Sequence, residues 1–488
     1  MQQPHGWLET GLSSPPIPVA DGFDVAAHAD WAALALKTLK GAGVETLASP
    51  GPDGLSIAPL YSASLEPTPF VPAPRGGERP WDIRTLVRHP SRSAARAAVL
   101  EDLAGGAASV VLALRQPNLE GVAIGSTEDM AEALDEVLID VAPIGLDAGF
   151  LGPQAADWLS DAAKGSPAAP LALHLDPLSA FARAGASPGP IESHLVAAAG
   201  TAARLAQVHP KASLFLASGQ VVHEAGGGPA EELAFALAAG LASLKALTRA
   251  GLPLEDAAEG LVLGLTTDSD PLISIAKLRA ARMTWTRLAG ACRIETPARI
   301  EARASRRMLT RAEPWTNLVR LTAAGLAAAV GGADAIALGA FTDPLGLPTG
   351  FARRMARNTQ LILMEEGHVG AVADPTAGAG AFEDLSRDLA RAAWARFNTI
   401  EAAGGIVTAL REGLIARQVE DERARLAEAL ADGAQKIVGV TDFQAAELRA
   451  APVEESPGAT TPAPEARLPG PDSRCPPLDP ISLEDLAA

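Results

Sequence analysis

The chain of 488 residues, 48% hydrophobic and 20% charged, can bury a large core and is long enough for one α/β barrel with extensions or for two or three average domains. Its formal net charge of −18 repels phosphate backbones and anionic headgroups, which argues against general nucleic-acid or membrane-surface binding. Two cysteines, Cys292 and Cys475, are too few for a disulfide framework or a four-ligand zinc site and suit a reducing compartment. No apolar run reaches the roughly 18 residues of a membrane span, and Met1-Gln2-Gln3-Pro4-His5 does not open a signal peptide, so a cytoplasmic protein is expected.

In chain order, residues 1–75 read as an extended leader. One helix candidate, 23–42, lies between Pro15-Pro16-Ile17-Pro18 and the proline-rich run 67–74. Prolines fix φ and remove donors, so such a leader suits wrapping a partner. Residues 76–380 alternate short β-like runs with helical patterns, the signature of βα units. The strand candidates are 107–114, 141–146, 171–175, 213–218, 261–265, 299–304, 335–338 and 369–373; helices are expected at 229–250, 272–292, 314–331 and 351–366. Eight strands separated by helices make an α/β fold, a (β/α)8 TIM barrel, more natural than an open sheet. Residues 381–450 read as a helical extension interrupted at Gly404-Gly405 and Gly413. Residues 451–488, rich in Pro, Glu, Thr and Gly with little to bury, read as a disordered tail.

Several runs inside the barrel region carry a resemblance. They are Arg79-Pro80-Trp81-Asp82-Ile83-Arg84, Ser218-Gly219-Gln220-Val221-Val222-His223-Glu224-Ala225-Gly226, Ile275-Ala276-Lys277-Leu278-Arg279-Ala280 with Trp285, and the run 352–361 with Asp374-Pro375 after it. In this order, over roughly residues 75–410, they resemble the methylmalonyl-CoA mutase family. The run Met308-Leu309-Thr310-Arg311-Ala312-Glu313-Pro314-Trp315-Thr316-Asn317 is more similar to the family's small, non-catalytic subunits than to its large ones. The resemblance implies a TIM barrel through which the pantetheine arm of coenzyme A threads. It also implies an adenosylcobalamin-dependent radical rearrangement interconverting methylmalonyl-CoA and succinyl-CoA, in which the protein binds, orients and excludes solvent.

The chain departs from the family's catalytic subunits where their chemistry lies. Those subunits carry a tyrosine two residues past the last arginine of the first motif, where this chain has Leu86, and Tyr-His where it has Gln220 and Val221. A positioned acid or base supplies about 10²- to 10⁴-fold in rate. The three positions are therefore read as degenerate, and no residue is assigned a catalytic role. The family's cobalt-gripping Asp-x-His-x-x-Gly motif is missing, since none of the eight histidines has Asp two residues before it, and no further βα domain is read after the barrel. The family's small subunits often keep a degenerate copy of that domain, so this is a departure from them as well. The expectation is a small subunit that binds no cofactor alone and forms a heterodimer with a catalytic large subunit carrying adenosylcobalamin. Two alternatives are the barrel subunit of a two-component mutase with a separate cobalamin-binding chain, and an acyl-CoA-binding sensor.

The remaining polar signals read two ways. His223 follows a barrel strand, where TIM-barrel sites lie, as a substrate contact or as a hydrogen-bonded rim histidine. Arg303, Arg306 and Arg307 suit an anionic acyl or phosphate group, or a salt-linked face. The run 376–381 offers helix-start amides to a phosphate, or only a permissive turn. Gly226-Gly227-Gly228 before Pro229 reads as a turn into a helix. Asp268, Ser269 and Asp270 offer oxygen ligands to a hard metal, or Asp270 caps the helix that Pro271 starts. No metal site is assigned.

Overall fold

The structure, a computed structural model, describes residues 27–62, 79–116, 119–456, 470 and 473–488. Eight parallel strands close into a barrel: β1 Asp82–Val87, β2 Ser109–Ala113, β3 Ile144–Asp147, β4 Ala172–Leu175, β5 Ser213–Ser218, β6 Leu261–Thr267, β7 Ile300–Ala304 and β8 Ala335–Ala337. β8 pairs with both β7 and β1, so no edge is left open. The principal helices outside are α1 Arg92–Ala104, α2 Thr127–Ala133, α3 Gly152–Ala162, α4 Ile191–Val208, α5 Pro229–Arg249, α6 Pro271–Cys292, α7 Asn317–Val330 and α8 Gly350–Leu361. Every residue of β5 and β6 is buried, as expected of strands covered on both faces. The (β/α)8 expectation holds.

One strand assignment needs correction. Residues 369–373 are not a barrel strand; Val369–Ala371 form a 3-10 turn packed on the start of β1, where a Cβ at Gly370 would meet Pro80 at 2.1 Å. The eighth strand is β1 itself. It alternates buried Ile83, Thr85 and Val87, which face the helices, with Asp82, Arg84 and Leu86 on the other face, so its charged inner face hid it from a search for apolar runs.

Local signals explain the helix starts. Asp270 accepts from Ile273 N at 3.1 Å and Pro271 opens α6, so the Asp-Ser-Asp run is a cap. Pro229 likewise opens α5 after the glycine turn. Beyond the barrel, α9 Gly380–Ala402 packs against α5 and α6, and α10 Ile406–Arg411 and α11 Leu414–Ala431 follow the breaks at Gly404-Gly405 and Gly413. Residues 432–450 are not helical.

The two ends behave differently. In the leader, the helix His28–Thr38 has no buried residue, while the 3-10 turn Pro52–Gly54 places Asp53 against the start of α5, where it accepts from Ala230 N at 2.7 Å and pairs with Arg396 at 3.1 Å. The proline-rich runs of the leader lie outside the described residues. At the other end, the expected disordered tail is corrected for the part described: Val453–Glu454 pairs antiparallel with Leu347–Pro348, and residues 473–488 pack over the barrel mouth with Leu478 buried.

Candidate functional site: the barrel mouth and lumen

Most of the family-like runs turn out to hold the scaffold together. Trp81 Nε1 donates to Gln360 Oε1 at 3.3 Å, joining the first motif to α8. Arg279 of α6 reaches Asp374, Thr376 and Glu383, joining the Ile275 to Ala280 run to the Asp-Pro run and to α9. Thr376 thus faces the barrel wall, and Gly378 N donates to Glu383 Oε1 at 3.0 Å, so a side chain of the protein occupies the helix-start amide. Asn317 closes its own loop through Thr310 and Phe341 backbone groups at 2.9 to 3.0 Å.

The Ser218 to Gly226 run leaves β5 through a tight turn. Gly219 is required there because a Cβ would meet the Glu232 carbonyl oxygen at 2.2 Å. The short helix Gln220–Glu224 then turns Gln220, Val221 and Glu224 into the mouth and His223 away from it. His223 is 1% exposed; its Nε2 lies 2.8 Å from Ser305 Oγ and its Nδ1 3.6 Å from Glu232. Glu232 accepts from Thr266 N at 2.5 Å and from Lys277, closing a buried cluster between α5, β6 and α6. Burial, with Arg307 and Lys277 nearby, holds the His223 imidazole well below its usual pKa, so it is neutral. Arg307 donates to the backbone oxygens of His223 at 2.7 Å and Gly227 at 3.1 Å, which ties the turn down.

At the C-terminal end of the strands lies a cavity of about 560 Å³. Leu86, Gln220, Val221, Thr266, Arg303 and Arg306 line it from the barrel, with Arg183 and Glu224, and Leu478, Pro480, Ile481, Ser482 and Asp485 form a wall from the C-terminal segment. Gln220 Nε2 donates to Leu265 O at 3.4 Å, and Leu86, Gln220 and Val221 share this one cavity. Arg306 is exposed and Arg183 half-buried, and neither guanidinium makes a hydrogen bond or close ion pair among the described residues. Glu224 accepts from Arg306 N and Arg307 N at 2.9 and 3.0 Å, and burial pushes its carboxyl up.

Below the cavity the lumen is crossed by charge. Arg303 Nη1 reaches Asp147 at 3.0 Å and its Nε reaches Glu301 at 2.7 Å. β7 and β3 stand on opposite sides of the barrel, so this side chain spans the axis. Arg84 pairs with Glu301 and, at 2.6 Å, with Asp82, and donates to Ser109 at 2.8 Å. A register shift in β4 beside His174, which has φ 47°, brings its Nε2 to 3.6 Å from Glu301. Burial alone would raise the Glu301 carboxyl, but Arg303, His174 and Arg84 hold it well below the usual carboxylate range. Burial, opposed by Glu301 and aided by Arg84 and Arg303, brings His174 down to about 4.

Of the residues singled out in the sequence, Arg303 and Arg306 therefore reach the cavity and His223 does not. Arg183, Asp147 and Glu224 were missed. Only Glu224 carried a signal, its place in the motif; Arg183 and Asp147 come together through the closure of the barrel.

This combination defines a (β/α)8 barrel with a cavity at the C-terminal end of its strands and an ion-braced lumen. A sequence model described as methylmalonyl-CoA mutase matches residues 77–460. The methylmalonyl-CoA mutase small subunit of Streptomyces virginiae is 36% identical over 486 residues, covering 93% of this chain and 76% of that protein. The small subunit of Propionibacterium freudenreichii subsp. shermanii is 32% identical, covering 84% of this chain and 65% of its own length. The methylmalonyl-CoA mutase of Escherichia coli K12 is 29% identical, covering 85% and 64%. The chain belongs to the methylmalonyl-CoA mutase family. It spans about three quarters of the Streptomyces relative and just under two thirds of the other two. No helix among the described residues is long and apolar enough to cross a membrane.

Proposed function

We propose that the chain is the small, non-catalytic subunit of an adenosylcobalamin-dependent methylmalonyl-CoA mutase, acting in the cytoplasm to bind and stabilise a catalytic large subunit. The observation that carries this reading is the mouth itself. Leu86, Gln220 and Val221 face the cavity without an acid or base among them, and the Arg303 brace fills the lumen beneath. A threaded pantetheine arm needs an axis that this brace crosses.

The family's cofactor does not suit this mouth. The buried imidazoles of His174 and His223 are engaged with Glu301 and Ser305 inside the barrel and its wall and do not line the cavity. Adenosylcobalamin accordingly belongs to the partner in this reading. The leader helix His28–Thr38 supports a partner too: 11 residues with no buried face do not hold a helix in water by themselves.

Co-expression with a candidate large subunit, followed by size-exclusion chromatography with mass detection, tests the proposal. A 1:1 complex carrying mutase activity is expected, with this chain inert alone when given adenosylcobalamin. Isomerisation of methylmalonyl-CoA by the lone chain, or no association with the large subunit, refutes it. The open guanidinium groups of Arg183 and Arg306 favour one second reading, an acyl-CoA-binding sensor. Titration of the isolated chain with methylmalonyl-CoA by calorimetry separates it from a pure scaffold.

A further inference from the structure

Residues 473–488 are fastened to three of the loops that form the mouth. Cys475 N donates to Gly185 O at 2.9 Å and Leu478 N to Ala182 O at 2.8 Å, both after β4. Ile481 N donates to Glu224 O at 2.8 Å after β5, and Leu483 N to Arg307 O at 2.9 Å after β7. Glu484 then accepts from the backbone of Arg311 at 2.6 Å and of Ala312 at 3.1 Å, and Asp485 pairs with the Arg311 guanidinium.

These fastenings are shallow. Of the segment only Ser473 and Leu478 are buried, and the Arg311 and Asp485 side chains are 46% and 60% exposed. An exposed ion pair is weak and is screened by salt. Pro476, Pro477 and Pro480 preset the extended path, which limits the freedom lost each time the segment docks. Beside it in the cavity wall stands half-buried Arg183, which makes no hydrogen bond or ion pair within 4 Å among the described residues and feels Asp147 and Asp176 only at longer range, whereas Arg306 is exposed.

We propose that residues 473–488 are a displaceable latch on the mouth cavity, held at its end by the Arg311–Asp485 pair, whose release opens Arg183 to a small anionic ligand. The inference rests on the contacts of the segment and stands apart from the subunit role, so its readout does not use mutase activity.

Cys475 reports the state of the latch. Its thiol donates to Phe181 O at 3.4 Å beneath the segment, and burial pushes it up to about 12, so the docked thiol reacts slowly. In the full chain carrying Cys292→Ser, reaction with neutral dithiodipyridine is expected to run at least about tenfold slower than in urea. It should accelerate at least about threefold in Arg311→Glu, which sets a like charge against both Glu484 and Asp485, and in high salt. Asp485→Ala gives the same readout if circular dichroism shows Arg311→Glu misfolded. Mass mapping after phenylglyoxal treatment should find Arg183 modified in the opened variants and spared in the parent, with exposed Arg306 modified in both. Rapid Cys475 reaction in the parent chain, or protection unchanged by both charge variants, overturns the latch.

Discussion

Buried charges in this barrel fall into two regions, the wall and the lumen, and they are held in different ways. In the wall the pairs bind neighbouring elements: Lys277 with Glu232 between α6 and α5, Arg353 and Arg357 with Asp102 between α8 and α1, and Arg279 with Glu383 and Asp374 between α6, α9 and the loop before it. In the lumen one carboxylate, Glu301, serves Arg84, Arg303 and His174 together. A wall clamp joins neighbouring elements, whereas the lumen centre joins β1, β4 and β7 and, through Arg303, β3 across the axis. Removing Glu232 takes a counter-charge from one cation and removing Glu301 takes one from two, and the cost of breaking a buried ion pair sets the scale of both.

The largest effect is therefore expected for Glu301→Ala, which leaves Arg84 and Arg303 with only Asp82 and Asp147. A loss of about 3–5 kcal/mol is expected by urea unfolding. Replacing the brace as a set with apolar residues of similar volume should recover much of that loss. Recovery would sharpen the view that the lumen needs to be filled rather than charged. A smaller loss, about 3 kcal/mol at the lower end of that range, is expected for Glu232→Gln, because the amide oxygen still accepts from Thr266 while Lys277 loses its counter-charge. If Glu232→Gln costs as much as Glu301→Ala, the contrast between wall and lumen fails.

The histidines give the comparison a pH axis. His174 titrates near 4 in the folded chain and near 6.5 unfolded, so between those values the unfolded state holds the extra proton. Its contribution to stability is present above about 6.5 and is lost as pH falls toward 4, by at most about 1.4 kcal/mol per pH unit. Asp53 and Asp176 are both raised to about 7 by burial, with Glu231 adding for Asp53, and act with the opposite sign between about 4 and 7. The readout is therefore the difference between parent and His174→Gln. The penalty of the substitution should shrink as pH is lowered from 7 to 5, measured by urea midpoints. A penalty independent of pH would remove His174 from the lumen network.

The smallest effect belongs to the leader. Leu34 is 67% exposed on the helix His28–Thr38, so Leu34→Asp should shift the stability of the isolated chain by less than about 0.5 kcal/mol. The same variant should weaken association with a large subunit if the leader contacts it. A large loss of stability in the isolated chain would show that the helix already has a partner surface within the chain.

Reading the sequence went furthest where contacts are local. The turn before α5, the Asp270 cap and the breaks at Gly404-Gly405 and Gly413 all act within a few residues, and seven of the eight strands showed as short apolar runs. β1 did not, because a strand that turns Asp82 and Arg84 inward reads as a polar segment. The C-terminal segment was misjudged for a related reason. Its Pro-rich composition shows little to bury, and its anchors are backbone groups of loops near residues 185, 224, 307 and 311, whose position no local pattern announces.

The alternation of strands and helices, the family-like runs and the presence of Leu86, Gln220 and Val221, none of them an acid or base, are written in residues close together in the chain. Only the tertiary structure decided that His223 turns into the wall, that Arg303 bridges Asp147 and Glu301 across the axis, and that residues 473–488 cover the mouth. Closing a barrel brings residues from opposite strands within hydrogen-bonding distance, and a separation of 156 positions, as between Arg303 and Asp147, leaves no local pattern to read.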